Sequence, residues 1–173
     1  FIILERIRAA MRNGLDLATA NEAIAANTVF TTHTPVPAGH DHFSRDMMER
    51  YFGAFCRSAG IPIGTLLAMG RTSGTDEFNM TALAVHGSRF HNGVSRIHGG
   101  VTSKMLAPLW PDIPPDENPV TSITNGVHLP TMLAVDWHHL FDRYLGLGWM
   151  QRSNDPACWN GVADIPDQLF WSV

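Results

Sequence analysis

The chain has 173 residues, of which 45% are hydrophobic and 16% are charged, so it has enough apolar material to bury a sizeable core. Its 12 basic and 16 acidic side chains give a formal net charge of -4, and this mild balance argues against nucleic acid or an anionic membrane as a partner. Cys56 and Cys158 lie far apart and form no C-x-x-C pair, which favours a reducing, cytoplasmic setting.

The first predicted elements are two helices and a strand. Apolar residues recur at helical spacing over residues 1–13, and an Asn-Gly pair closes this helix. An alanine-rich helix follows at residues 16–26, and the β-branched and aromatic run at 28–32 predicts a short buried strand. Phe1 is not a start methionine and opens an apolar run, so we expect the chain to begin partway into a larger protein.

A proline-rich loop is predicted directly after this strand, at residues 33–41 with the sequence HTPVPAGHD. Its two prolines and its glycine break regular structure. Ligands of open α/β sheets bind at the carboxyl ends of the strands. This loop is therefore the first candidate for a site.

The rest of the chain is predicted to be mostly helical. A serine cap at Ser44 opens an amphipathic helix over residues 44–59, and a second strand is predicted at 120–124. The other predicted segments are helices at 61–69, 79–90, 95–106 and 131–144, a turn at 92–94, a proline-rich connection at 108–119 and a helical stretch from 165 onward. Two strands alone leave unpaired edges, so we expect an α/β protein with a partial Rossmann-like parallel sheet whose other strands lie outside this chain.

The nine histidines raise the alternative of a metal-dependent hydrolase. His33, His40, Asp41 and His42 lie on one loop, and the histidines at 98, 138 and 139 could complete a ligand set. No H-E-x-x-H, C-x-x-C or EF-hand spacing occurs, so no metal site is predicted. The G-x-S-x-G, P-loop and G-x-G-x-x-G patterns are absent as well. Asp41 and Asp136 could act as a glycosidase pair only if the fold brought them to a working distance.

Three separated strings carry polar residues that a purely structural segment would not need. They are FTTHTPVPAGHD at 30–41, FNMTALAVHGSRFHNGVSRIHG at 78–99 and ITNGVHLPTML at 123–133. The second is interpreted as a helix, a tight Asn-Gly turn and another helix. In this order and spacing the strings resemble the glycogen and maltodextrin phosphorylase family, and above all its shorter bacterial and archaeal branch. The likeness covers nearly all of residues 1–148.

The resemblance implies a fold and an activity. The family's enzymes have two Rossmann-like domains that face a cleft, as in GT-B-type glycosyltransferases, and they carry pyridoxal 5'-phosphate. They transfer terminal α-1,4-linked glucose from a glucan to inorganic phosphate, which gives glucose 1-phosphate. On this basis residues 1–126 would be the C-terminal part of the first domain, and residues 127–173 the crossover and the beginning of the second. The implied protein is a cytoplasmic enzyme, and the family allows a homo-oligomer.

The resemblance also assigns roles to four residues. His33 matches the family histidine whose side chain reaches the 6-hydroxyl of the terminal glucose and whose carbonyl lies near the anomeric carbon, so it is the expected catalytic residue. Asn125 matches another partner of the 6-hydroxyl, and Val94 matches a residue that lines the sugar pocket. Asp41 falls where the family has an acidic residue near the glucan channel.

Other family features are not matched in this chain. Lys104, the one lysine, does not match the lysine that holds pyridoxal phosphate, so no cofactor-binding residue is expected here. The arginine and lysine that grip the substrate phosphate have no counterpart, and Met132 replaces a tryptophan. We therefore expect the isolated chain to be inactive. A non-catalytic glucan-binding module and the histidine-rich metal-dependent hydrolase stay open as alternatives.

Overall fold

The protein forms two compact units, Phe1–Asn125 and Gly126–Val173. The structure is a computed structural model that describes the backbone of residues 1–173 and every side chain except that of Pro37.

The first unit is built around a parallel sheet. The described backbone contains five strands: β1 (Val29–Thr31), β2 (His42–Phe43), β3 (Phe78–Asn79), β4 (Phe90–Gly93) and β5 (Val120–Ser122). Strands β1, β4 and β5 form a three-stranded parallel sheet in that order. Strands β2 and β3 form a separate antiparallel pair. The architecture is therefore α/β with a parallel sheet, as predicted.

Helices account for most of the first unit. They are α1 (Ile2–Arg12), α2 (Leu17–Ala26), α3 (Arg45–Ala59), α4 (Ile63–Met69), α5 (Met80–His86) and α6 (Arg96–Leu106), with short 3-10 turns at Pro37–Gly39 and Ala107–Leu109. Among the described residues, no single helix is long and apolar enough to cross a membrane. Helices α3 and α4 meet the length and composition required for a span only when they are taken together, as a pair bent by 116°.

Polar side chains cap the N-termini of α2 and α3, close to the helix starts that the sequence predicts. The Ser44 hydroxyl accepts a hydrogen bond from Met47 N at 3.3 Å, which confirms the predicted cap of α3. At the start of α2, the Asp16 carboxylate accepts one from Thr19 N at 2.9 Å. This backbone donor, together with the Thr19 hydroxyl, lowers the pKa of Asp16 below its ordinary value.

The apolar faces of the helices pack into two clusters that form the core of the first unit. One contains Leu4, Met48, Cys56, Leu66, Phe78 and Leu83, and the other contains Ile7, Ala20, Ile24 and Ile61. Burial raises the pKa of the Cys56 thiol, so this cysteine stays protonated and serves packing.

Two predictions about the sheet are wrong: residues 90–93 are not expected to form a strand, and the strand at 28–32 is expected to be buried. Residues 90–93 are predicted as the end of a helix and a turn, but they form β4, the central strand. His91 and Asn92 are 7% and 4% exposed, and their backbone pairs on both sides. Histidine, asparagine and glycine are not typical strand formers, so the local pattern does not indicate this strand. Strand β1 is present but is not buried as predicted: Val29 is 58% exposed, and its register partner Phe90 on the central strand is 62% exposed, so the start of the sheet is uncovered at both residues.

The second unit is helical, as predicted, but less regular. It contains α7 (Leu129–Met132), α8 (Val135–Leu145) and α9 (Asp167–Phe170), with 3-10 segments at Trp149–Arg152 and Pro156–Asp164. Its core is made by Leu140, Phe141, Trp149, Cys158 and Ile165. Aromatic rings dominate this cluster: Phe141 and Trp149 meet edge to face with centroids 5.1 Å apart.

Candidate functional site

The ends of three parallel strands bring the three sequence strings to one edge of the sheet. His33 lies two residues beyond β1, Val94 directly follows β4, and Asn125 lies three residues beyond β5. Because β1, β4 and β5 are parallel and in continuous register, their carboxyl ends share one edge. Ligands of open α/β sheets bind at that edge.

Backbone hydrogen bonds continue across this edge beyond the strands themselves. Thr32 N donates to Asn92 O at 3.0 Å, and Asn125 N donates to Val94 O at 3.2 Å. His33 and Asn125 are exposed, and Val94 is half-buried. Two polar side chains are therefore accessible to a ligand on a backbone that the sheet holds in place.

The residues after β4 are held by the first turn of α6. The Ser95 hydroxyl accepts a hydrogen bond from His98 N at 3.1 Å, and His98 Nδ1 accepts one from Val94 N at 3.1 Å. The arrangement resembles a capping box, except that the imidazole of His98 bonds the N–H of Val94, one residue before the Ser95 cap, and not the N–H of the cap itself. His98 itself is only 9% exposed.

Two glycines allow α6 to lie close to the sheet. A Cβ atom on Gly93 would be 2.8 Å from Gly99 N, and a Cβ atom on Gly99 would be 3.0 Å from the Ser122 Cβ. Neither glycine has a positive φ. Glycine is therefore needed at these positions for close approach rather than for an unusual backbone conformation.

Asp41 and the neighbouring histidines lie against a different part of the first unit. The Asp41 carbonyl accepts a hydrogen bond from Met80 N at 3.0 Å, at the start of α5. His40 Nδ1 contacts the Thr81 hydroxyl at 2.5 Å, and His42 Nδ1 lies 3.4 Å from a Glu77 oxygen. Among the described residues no group of three or more His, Cys, Asp or Glu side chains could hold a metal ion. The alternative of a metallohydrolase on this loop has no ligand set in the described structure.

Known proteins align with the chain along its whole length. No family model matches. The maltodextrin phosphorylase of Thermococcus litoralis is 41% identical over 173 residues, which is 100% of this chain and 20% of that protein. The glycogen phosphorylase of Mycobacterium tuberculosis (strain CDC 1551 / Oshkosh) is 37% identical over 179 residues, covering 99% of this chain and 20% of its own length. The glycogen phosphorylase of Aquifex aeolicus is 31% identical over 173 residues, covering 99% of this chain and 25% of that protein.

The chain belongs to the glycogen and maltodextrin phosphorylase family. It spans about a fifth of the length of the first relatives it matches.

The residues of this phosphorylase segment do not fit a covalent pyridoxal phosphate site. Lys104, its one lysine, is exposed and lies ten residues beyond Val94. At a rise of about 1.5 Å per residue, most of α6 separates this amine from the edge that carries His33. A cofactor lysine would have to come from outside the segment. Met132, for which the resemblance implies a tryptophan in the family, is 75% exposed.

Sequence reasoning missed two residues that shape this edge. His98 accepts from Val94, as described above, and the Asn92 amide links two strands: its Oδ1 accepts from the Thr31 hydroxyl at 2.9 Å. A signal for His98 was present, since a serine followed three residues later by a side chain with an acceptor is the spacing of a capping box. No signal marked Asn92, because its role depends on the pairing of β1 with β4.

Proposed function

We propose that the longer protein to which this segment belongs is an α-glucan phosphorylase. It would transfer terminal α-1,4-linked glucose from glycogen or maltodextrin to inorganic phosphate and release glucose 1-phosphate. The observation that carries the proposal is the meeting of His33, Val94 and Asn125 at one carboxyl edge of a parallel sheet, in a chain whose relatives are named glycogen and maltodextrin phosphorylases.

The chemistry of these side chains suits a sugar. An imidazole and a primary amide each offer a donor and an acceptor to a hydroxyl group, so His33 and Asn125 can both bind the 6-hydroxyl of the terminal glucose. The Val94 side chain can pack on the C–H edge of the ring and exclude water. Asp41 would lie farther along the glucan channel.

His33 also has a proposed catalytic role. Cleavage of the glycosidic bond develops positive charge on the anomeric carbon. A carbonyl dipole that already points at this carbon stabilises the charge without having to reorganise. We assign this role to the His33 carbonyl, since it follows a strand whose backbone is fixed by pairing with β4.

The remaining machinery would lie outside this segment. In the proposed GT-B-type arrangement, residues 1–126 belong to the first Rossmann-like domain and residues 127–173 begin the second. Pyridoxal 5'-phosphate would supply acid–base chemistry at its phosphate, held by residues of the rest of the protein. The isolated chain would therefore be inactive. The full protein would be cytoplasmic and would form a homo-oligomer.

Steady-state kinetics of the full-length protein test the proposal. With maltodextrin and phosphate as substrates, His33→Ala should lower kcat about a hundredfold or more, because it removes the imidazole that holds the terminal sugar against the residue-33 carbonyl, and loss of one preorganised group of this kind typically costs ~2.7–4 kcal/mol in the barrier. The Michaelis constant for the glucan should change little, since a glucan makes many contacts along its length. His139→Ala removes an exposed histidine of the second unit and is the matched control.

Two results would count against the proposal. Wild-type protein that releases no glucose 1-phosphate would remove the activity itself. A His33→Ala variant with a raised Michaelis constant and unchanged kcat would show that the His33 imidazole is a uniform binding contact, and its proposed part in holding the reacting sugar for catalysis would be wrong.

A further inference from the structure

The His98 side chain is buried beside the proposed site, and its tautomer is fixed by one hydrogen bond. Its Nδ1 lies 3.1 Å from Val94 N. A backbone N–H can only donate, so Nδ1 must be the unprotonated nitrogen and the ring proton must sit on Nε2. The imidazole therefore acts here as an acceptor.

Val94 is held at both of its backbone polar groups. His98 binds its N–H, and its carbonyl accepts the N–H of Asn125 at 3.2 Å. A continuous path of hydrogen bonds therefore runs from the His98 ring through Val94 to Asn125. The ring fixes the first link of this path, and Asn125 is the exposed last link.

The packing of α6 leaves the His98 ring little freedom to move. The backbone N–H of His98 donates to the Ser95 hydroxyl, and the absent Cβ atoms of Gly93 and Gly99 let helix and strand backbones approach each other closely. Close-packed backbones transmit small displacements instead of absorbing them. Loss of the hydrogen bond at the His98 ring is thus expected to displace Val94.

We propose that His98 is a positioning residue that holds Val94, and through it Asn125, in the geometry that binds the terminal sugar. The proposal rests on the proposed function, in which Asn125 binds the 6-hydroxyl. His98 itself does not touch the substrate. Its Nδ1 sets where the Asn125 backbone lies at the edge of the sheet.

The second ring nitrogen, Nε2, limits the proposed role of His98 to its Nδ1 atom. Nε2 is buried and has no hydrogen-bond partner among the described side chains, so Nδ1 is the atom that matters within this segment. Asparagine places its Oδ1 at the same branch of the side chain and can accept from Val94 N. The leucine side chain has nearly the same shape as that of asparagine but carries no hydrogen-bond acceptor. His98→Asn and His98→Leu therefore form a matched pair that differs in one hydrogen bond.

The first measurement is kinetic and uses the full-length protein with maltodextrin and phosphate. His98→Leu should lower kcat about tenfold, because an unsatisfied buried N–H lets Val94 shift. His98→Asn should retain kcat within about threefold. In the double variant His98→Leu/Asn125→Ala, kcat should be no more than about twofold below that of Asn125→Ala alone, since residues that act through one another are not additive.

The second measurement is hydrogen exchange of the Val94 and Asn125 amides in the same protein. Both amides should exchange faster in His98→Leu and stay protected in His98→Asn. Should the leucine variant fail to fold, His98→Gln replaces it, because its amide lies one bond farther out and leaves no acceptor at the Nδ1 position.

The outcomes separate this proposal from the proposed function. If wild-type protein shows no phosphorolysis, the proposed function fails, and the exchange data alone decide whether His98 holds Val94 and Asn125. If phosphorolysis is present, the positioning role is overturned by an asparagine variant as slow as the leucine variant. Fully additive effects in the double variant, or unchanged exchange in His98→Leu, would overturn it as well.

Discussion

The close approach of α6 to the sheet makes Gly93→Ala the most direct test of the fold at the site. The new Cβ would lie 2.8 Å from Gly99 N and 2.9 Å from the Gly99 Cα. Both distances are well inside the ~3.5 Å at which nonbonded heavy atoms attract most strongly. The opposing atoms belong to the backbone of a helix, so relief requires α6 to move as a unit.

The expected cost can be bounded from two opposing terms. Overpacking of this kind costs about 1–3 kcal/mol. Alanine also restricts the unfolded chain, which stabilises the folded state by about 0.4–1 kcal/mol when the backbone conformation is compatible, as it is for a glycine without positive φ. The net cost then lies between about 0 and 2.6 kcal/mol, and the middle of the two ranges gives a destabilisation of about 1.3 kcal/mol for Gly93→Ala.

Gly100→Ala provides a matched control on the same helix. A Cβ atom there would meet nothing within 4 Å. Because alanine is the better helix former, this variant should be more stable than wild type by about 0.5–1 kcal/mol. Urea unfolding, with the midpoint and slope fitted for each variant, measures both changes. The reasoning is refuted if Gly93→Ala proves at least as stable as Gly100→Ala, because the predicted contact with Gly99 would then not exist.

Three further predictions concern other parts of the chain. The hydrogen bonds from Thr19 lower the pKa of the Asp16 carboxylate. The stabilisation that this carboxylate provides should therefore be complete above its ordinary pKa of 3.8 and be lost as pH falls through the lowered pKa. The unfolding midpoints of wild type and Asp16→Ala should differ at neutral pH and converge in strong acid. Pyridoxal phosphate followed by borohydride should leave Lys104 without a stoichiometric adduct, and a mass spectrum showing one would contradict the interpretation of this lysine. The isolated chain should self-associate, because Phe90 and Ile123 are 62% and 63% exposed on a sheet with open edges, and a monomeric sample with a sharp thermal transition would argue against this.

The sequence by itself determined most of the helices and the three strings. Helix starts at Asp16 and Ser44 follow from local capping, which depends only on residues three positions apart. The strand at 120–124 was predicted from its β-branched residues and is present as β5. Family membership also follows from local order and spacing, and the relatives confirm it along the whole chain.

Tertiary structure alone decided which strand is central and how the site is held. The residues of β4 have no strand signature, and they form a strand because β1 and β5 pair with them on both sides. The exposure of Val29 likewise depends on tertiary packing, which leaves this residue and its register partner Phe90 uncovered. The hydrogen bond from Asn125 N to the Val94 carbonyl forms only when the ends of β4 and β5 come together. Such contacts join residues that are distant in the chain or on different elements, and no periodicity within one element encodes them.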